Sequence, residues 1–151
     1  MYQKILVPLD GSKLAECALS HVKNLVKAGA GGEVTLLNVV TVYLPGRGEI
    51  PGIIDINSLR EDLFMVSRKY LADVESRLAS EGIKVKKESL EGNRPADAIS
   101  DYAQKNGVEL IVIATHGYAG LKKLMFGSVA LRVLHDSHVP VLLIRPESCQ
   151  M

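Results

Sequence analysis

The segment KILVPLDGS, residues 4–12, contains the first two elements of the fold. Its apolar, β-branched run ends at Leu9 and predicts a strand that is buried on both faces. Asp10-Gly11 breaks the run, and Ser12 is a favourable N-cap for a helix that we expect to reach about Ala28. A buried strand that leads directly into a helix is typical of an α/β fold with a parallel sheet.

The same alternation of short apolar runs and amphipathic stretches continues along the chain. Further strands are expected at residues 33–40, 83–90, 108–114 and 139–145, and further helices at about 57–81, 93–106 and 128–134. The apolar stripe of the second helix includes Val66, and the proline- and glycine-rich residues 41–57 are expected to form a long loop. This order predicts a five-stranded, mostly parallel open sheet with helices on both faces, in a single domain over residues 1–151.

Composition and charge exclude several classes of protein. Of the 151 residues, 47% are hydrophobic and 23% are charged, which is typical of a globular domain and not of a disordered chain. The net charge of +1 gives no basic excess of the kind that nucleic-acid-binding proteins carry. No apolar run approaches the roughly 20 residues that span a bilayer, and Pro8 and Asp10 cut short the first one. We therefore expect a cytoplasmic protein that binds neither membranes nor nucleic acid.

Glycines follow the fourth predicted strand, where ligands of such sheets bind. Gly117 and Gly120 come directly after this strand, and Gly127-Ser128 comes where the fourth helix is expected to begin. Glycines let backbone N–H groups approach an anion, and a helix N-terminus capped by Ser128 adds unpaired donors and a favourable dipole. The pattern is compatible with a phosphate site; alternatively, the glycines only turn the chain and the serine only caps the helix.

Asp10 is the candidate acidic group at the end of the first strand. A carboxylate in this position can accept hydrogen bonds from hydroxyl groups or help to hold a hard cation. The alternative is that it caps the first helix beside Ser12.

Five short segments are spread from the first predicted strand to the last: 4–12 (KILVPLDGS), 37–39 (LNV), 113–117 (IATHG), 127–129 (GSV) and 139–144 (VPVLLI). Together they give the sequence a resemblance to the universal stress protein family along its whole length. The resemblance implies a Rossmann-like fold of the adenine nucleotide alpha hydrolase-like type.

ATP-binding members of that family carry the motif Gly-x2-Gly-x9-Gly-(Ser/Thr), which holds the phosphates and the ribose. The matching positions in this chain are Ala114, Gly117, Gly127 and Ser128, so three of the four agree and Ala114 adds one methyl group. The presence of this pattern favours the ATP-binding subclass.

The resemblance also implies roles for residues outside the glycine motif. Asp10 would lie near the ribose or near a phosphate-bound Mg²⁺ or Mn²⁺, and Pro8 and Val39, or its neighbour Val40, would line the adenine pocket. Backbone groups of Ser128 and Val129 would meet the phosphates.

Patterns for other chemistry are weak. The chain has no Gly-x-Ser-x-Gly elbow, no Walker-type loop and no dinucleotide fingerprint, so we expect at most slow ATP hydrolysis. His116 is expected to be structural, with ligand contact as the alternative. Cys17 is expected in the core and Cys149 in the tail, with a disulfide or a reactive thiol as the alternative.

Two functions remain open at this point. The first is a dimeric regulatory switch that binds ATP, AMP or another adenine nucleotide and presents a changed surface to an unknown protein partner. The second is a dimeric interaction protein that works without a nucleotide. The resemblance implies a homodimer through the last strand, with Val139, Val141, Leu142 and Ile144; the alternative is that this strand is an ordinary buried central strand.

Overall fold

A computed structural model describes residues 1–42, 55–115 and 125–145, without the side chains of residues 125–127. The strands are β1 (Tyr2–Pro8), β2 (Gly31–Val40), β3 (Val85–Glu91), β4 (Leu110–Ala114) and β5 (Val141–Ile144). The helices are α1 (Ala18–Lys27), α2 (Ile56–Ala79), α3 (Pro95–Lys105) and α4 (Met125–Asp136), and a 3-10 turn, Ala15–Cys17, precedes α1. All neighbouring strands are parallel, which confirms the predicted α/β class.

The strand order, β3-β2-β1-β4-β5, creates a crevice at one point of the sheet. The chain first moves outward from β1 to β2 and β3, then returns to β4 beside β1 and ends at β5. The direction of winding therefore reverses between β1 and β4, and ligands of open parallel sheets bind at such a point, beyond the carboxyl ends of the strands. Right-handed crossovers put α1 and α2 on one face and α3 and α4 on the other, where α3 packs against α4.

The two central strands are buried because their sequences are continuously apolar. Leu6 and Val7 in β1 and Ile111 and Val112 in β4 all have 0% exposure. Such strands carry no polar face because helices cover both sides of the sheet. Cys17 also lies in the core, as predicted, and it is disulfide-bonded, which was the alternative; Cys149 lies outside the described residues.

Three sequence predictions need correction. Val66 is 67% exposed, and α2 instead buries Ser67 and Leu71 beside Val74 and Leu78. Helix α4 begins at Met125, so Ser128 lies within its first turns and is not its N-cap. β5 is an edge strand, which excludes the alternative of a buried central strand. Residues 43–54, most of the predicted loop, lie outside the described residues.

Candidate functional site

A pocket of about 370 Å³ lies in the crevice at the carboxyl ends of β1 and β2. Its volume is in the range of small-molecule sites, about 300–1,000 Å³. It is lined by the ends of two strands, by the start of α3 and by the first turns of α4, through Pro8, Leu9, Asp10, Leu37, Val39, Thr41, Asn93, Pro95, Ile99, Ser128 and Val129. The fold therefore brings five separate predicted site residues to one cavity: Pro8, Asp10, Val39, Ser128 and Val129.

Asp10 is held at the pocket by a tight turn. Gly11 has a φ of +91°, a conformation that glycine adopts without strain, and the chain turns back there. The backbone N–H of Ser12 donates to Oδ1 of Asp10 at 2.8 Å, and the Ser12 hydroxyl donates to the same oxygen at 2.6 Å. Oδ2 of Asp10 receives no hydrogen bond from the described residues, so this exposed oxygen remains available as an acceptor.

Ser12 also provides a hydrogen-bond acceptor for the backbone at the start of the following turn. Its hydroxyl accepts a hydrogen bond from the backbone N–H of Ala15 at 3.1 Å, as an N-cap side chain does. The prediction that Ser12 is the N-cap of the first helix is nevertheless wrong, because the N-cap of the 3-10 turn is Leu14 and α1 itself begins only at Ala18. Asp10 and Ser12 act together, so the capping and ligand-proximity interpretations of Asp10 do not exclude each other.

A buried polar network fixes the position of β2 beside the end of β1. Nδ2 of Asn38 donates to the carbonyl oxygen of Leu9 at 2.8 Å, and the Ser67 hydroxyl donates to Oδ1 of Asn38 at 2.7 Å. The hydroxyls of Ser67 and Ser89 lie 2.6 Å apart. Because Asn38 directly precedes Val39, this network determines where Val39 lies in the pocket wall.

The ends of β2 and β3 supply two pocket residues that the sequence analysis missed. Thr41 follows β2 and donates its hydroxyl hydrogen bond to the carbonyl oxygen of Gly92 at 3.0 Å. The backbone N–H of Gly92 in turn donates to the carbonyl oxygen of Val40, also at 3.0 Å. Asn93, the next residue, is exposed and lines the pocket. The available signal was positional, since Thr41 directly follows β2 and Asn93 lies two residues after the end of β3.

The positions of the glycine motif lie at the end of β4 and beyond it. Ala114 has 0% exposure at the end of β4, and it belongs to the core beneath the pocket and not to the pocket lining. Gly127 and Ser128 lie in the first turns of α4, whose N-terminal N–H groups and dipole favour an anion. Gly117 and His116 lie outside the described residues.

The charged groups near the site form a network behind Asp10. Tyr70 of α2 donates its hydroxyl hydrogen bond to Oε2 of Glu16 at 2.8 Å, and Arg77 donates to Oε1 of Glu16 at 2.9 Å. Burial, together with the negative charges of Glu16 and Asp10, raises the pKa of Tyr70 well above its ordinary range. Tyr70 is therefore a neutral hydrogen-bond donor here at physiological pH.

Neither a clustered metal site nor a membrane-spanning helix occurs in the part of the chain that the structure describes. No three of its His, Cys, Asp and Glu side chains come together to hold a metal ion. None of its helices is both long and apolar enough to cross a membrane.

Comparisons with known proteins find relatives of a single family. The model of the universal stress protein family matches residues 1–145. The universal stress protein MJ0531 of Methanocaldococcus jannaschii is 35% identical over 149 residues, which cover 96% of this chain and 83% of that protein. The universal stress protein YxiE of Bacillus subtilis is 31% identical over 151 residues, 96% of this chain and all of the relative.

Solved structures share the same architecture. The structure of MJ0577 from M. jannaschii has a TM-score of 0.75 and 33% identity, with 96% of each chain covered. A universal stress protein of Archaeoglobus fulgidus, solved with dAMP, has a TM-score of 0.63 and 24% identity, with 95% of this chain and 98% of that chain covered. A universal stress protein solved with cAMP has a TM-score of 0.64 and 19% identity, covering 96% and 98%. At these two lower identities the likeness shows the fold alone.

Proposed function

Because the chain belongs to the universal stress protein family, we propose that it is a regulatory protein that binds an adenine nucleotide. The observation that carries this proposal is the pocket at the crevice, since it combines apolar walls with an exposed carboxylate and a helix N-terminus. The proteins of the same fold that were solved with dAMP and cAMP support an adenine nucleotide as the ligand class.

The phosphates would bind at the first turns of α4. Gly127 lies there next to Ser128, and the N–H groups of a first turn have no partner within the helix. These donors and the helix dipole attract a phosphate without any positively charged side chain. In this arrangement the backbone N–H of Gly127 binds the phosphates, Ser128 and Val129 flank it in the pocket wall, and Gly117 is a further candidate from the family motif.

The nucleoside would lie over the ends of β1 and β2. Pro8 and the half-buried Val39 offer apolar surface for the base, and Asp10 offers its free Oδ2 to the ribose hydroxyls or to a metal ion. Mg²⁺ is commonly held by one or two carboxylates together with substrate phosphates, which fits a site with a single carboxylate. We therefore propose ATP with Mg²⁺ or Mn²⁺ as the ligand, and AMP as an alternative.

The regulatory part of the proposal requires a second surface. We propose a homodimer through β5, in which Val139, Val141 and Leu142 contact the partner copy. Val141 and Leu142 are half-buried and exposed on this edge strand, and the half-buried Val139 lies two residues before it. Ile144, the fourth predicted interface residue, is only 4% exposed and packs in the core. A nucleotide-dependent change of this dimer or its surroundings, read by a further protein in the cytoplasm, would make the single domain a switch.

A nucleotide-independent dimeric interaction protein is the second candidate function. The edge strand β5 favours it, because an exposed strand edge can pair with another chain without any ligand. The two candidate functions differ in whether a nucleotide must occupy the pocket for the protein to act.

The first experiment measures the nucleotide content of the purified protein after denaturation, followed by calorimetry with ATP, AMP and cyclic AMP in Mg²⁺. Asp10→Asn removes the charge but keeps an oxygen for Ser12, so it should weaken ATP binding about tenfold while the protein stays folded. Asp73→Asn, which changes an exposed aspartate of α2 outside the pocket, is the matched control and should bind like the wild type. An empty protein that gives no heat with any of the three nucleotides would leave the second candidate.

A further inference from the structure

The side-chain amide of Asn93 lies at one wall of the pocket. It lies between β3 and α3, is exposed, and lines the pocket together with Val39 and Thr41. The hydroxyl of Thr41 is occupied by the carbonyl oxygen of Gly92, whereas the amide of Asn93 makes no hydrogen bond with any residue that the structure describes. Asn93 therefore presents both a donor and an acceptor to whatever fills this part of the pocket.

The arrangement of the pocket determines which part of a nucleotide would meet this amide. The anion-binding end is the first turns of α4, at Ser128, and Asp10 lies at the end of the neighbouring β1. A phosphate at α4 leaves the end of β2 and the start of α3 as the remaining pocket lining for the base. That wall is apolar at Val39, Pro95 and Ile99, which suits the flat faces of a base.

A base on this wall can present its polar edge to Asn93. Adenine has a 6-amino donor next to a ring-nitrogen acceptor, and an asparagine amide pairs with both through its own acceptor and donor. A purine without the 6-amino group loses the hydrogen bond to the Asn93 oxygen, and that loss weakens binding.

We infer that Asn93 is a specificity-determining residue, which recognises the 6-amino group of an adenine nucleotide. This inference rests on the proposed function, and it concerns a residue to which the family resemblance gives no role. It makes the β3–α3 connection the part of the chain that selects the base, while α4 binds the phosphates.

The test compares ATP with purine riboside triphosphate, which lacks the 6-amino group but keeps all four ring nitrogens. The wild type should bind ATP about tenfold more tightly, as expected for one directed hydrogen bond. Asn93→Ala should bind the two nucleotides equally, mainly through weaker binding of ATP. Asn24→Ala, an exposed asparagine of α1 outside the pocket, should keep the wild-type ratio.

The outcomes separate this inference from the proposed function. If Asn93→Ala keeps the tenfold preference, or if the wild type shows no preference, then Asn93 does not recognise the amino group although nucleotide binding stands. If the wild type binds neither nucleotide, the proposed function fails as well. Thermal unfolding of Asn93→Ala at the wild-type temperature excludes a folding defect as the cause of a changed ratio.

Discussion

The hydroxyl of Tyr70 donates a hydrogen bond of 2.8 Å to Oε2 of Glu16, which ties helix α2 to the turn that follows Asp10. Arg77 donates to the other oxygen of Glu16 at 2.9 Å, so the carboxylate has partners on both oxygens. The side chain of Glu16 is only 16% exposed, and the loss of either partner leaves a carboxylate oxygen poorly solvated. This contact therefore stabilises the wall behind the pocket.

Tyr70→Phe should lower the free energy of unfolding by about 1–2 kcal/mol at neutral pH, because it removes a hydrogen bond to a largely buried carboxylate. Urea unfolding followed by circular dichroism measures the change. Tyr2→Phe, which alters a tyrosine that is 38% exposed, is the matched control and should have no measurable effect. Equal stability of Tyr70→Phe and Tyr2→Phe would show that the Glu16 contact contributes nothing.

The same tyrosine predicts a pH dependence. Burial and the nearby carboxylates raise the pKa of Tyr70 in the folded protein, while in the unfolded chain it ionises near its ordinary value of 10.0. Above about pH 10 the unfolded chain has lost a proton that the folded protein retains, so the stabilisation decreases as the pH rises. The stability difference between the wild type and Tyr70→Phe should therefore be constant below about pH 9 and narrow by about pH 11. A difference that widens over this range would contradict the raised pKa.

Ser67 has a different structural role, because it is a polar residue buried between α2 and the sheet. It is 5% exposed, and it donates to Oδ1 of Asn38 at 2.7 Å. Ser67→Ala leaves that oxygen without a donor and should cost about 2 kcal/mol in the free energy of unfolding. Ser76→Ala, an exposed serine of the same helix, should change stability by less than about 0.5 kcal/mol. Similar urea midpoints for the two variants would mean that the Asn38 contact is dispensable.

Gly32 marks a close approach between β1 and β2 at the end of the sheet opposite the pocket. A Cβ at this position would lie 2.7 Å from the backbone carbonyl oxygen of Gln3, which cannot move without shifting the strand. At Gly31 the nearest atom is the Cδ1 of Ile5 at 2.9 Å, the end of a side chain that can rotate. Gly32→Ala should therefore destabilise the protein by about 1–3 kcal/mol, and Gly31→Ala by less.

Chemical denaturation of the two alanine variants tests this difference, with ATP calorimetry as a second readout. The nucleotide affinity of folded Gly32→Ala should equal that of the wild type, because the substituted end of the strand is remote from the pocket. If Gly31→Ala is the less stable variant, the backbone contact at Gln3 is not the limiting one.

The fold could be predicted largely because the central strands, β1 and β4, are continuous apolar runs. Ile5–Val7 and 111–113 read as buried strands from composition alone, and their order fixes a parallel sheet. The face of α2 was harder to predict, because Val66 fits the apolar spacing and Ser67 does not. Ser67 is nevertheless the buried residue, since its hydroxyl finds partners in Asn38 and Ser89 that only the tertiary structure brings near.

The candidate site was predictable where a residue lies within two positions of a strand end and also belongs to a segment that carries the family resemblance. Pro8, Asp10 and Val39 meet both conditions, and they line the pocket. Asn93 meets only the first condition, and a sequence pattern cannot reveal that it lines the pocket beside Val39. The start of α4 was misjudged because serine is a common N-cap, although the helix continues back to Met125.

The exposed edge of β5 carries the last prediction, which concerns the proposed dimer. Leu142 is 38% exposed on this strand, and a lysine there would place a charge inside a strand-to-strand interface. Leu142→Lys should be a folded monomer at concentrations where the wild type is a dimer, as measured by light scattering. Met65→Lys, at a 65% exposed position of α2, which packs on β2 and β3 at the opposite edge of the sheet, should remain a dimer. A dimeric Leu142→Lys would exclude β5 as the interface, whereas loss of the dimer in both variants would indicate a general effect of added charge.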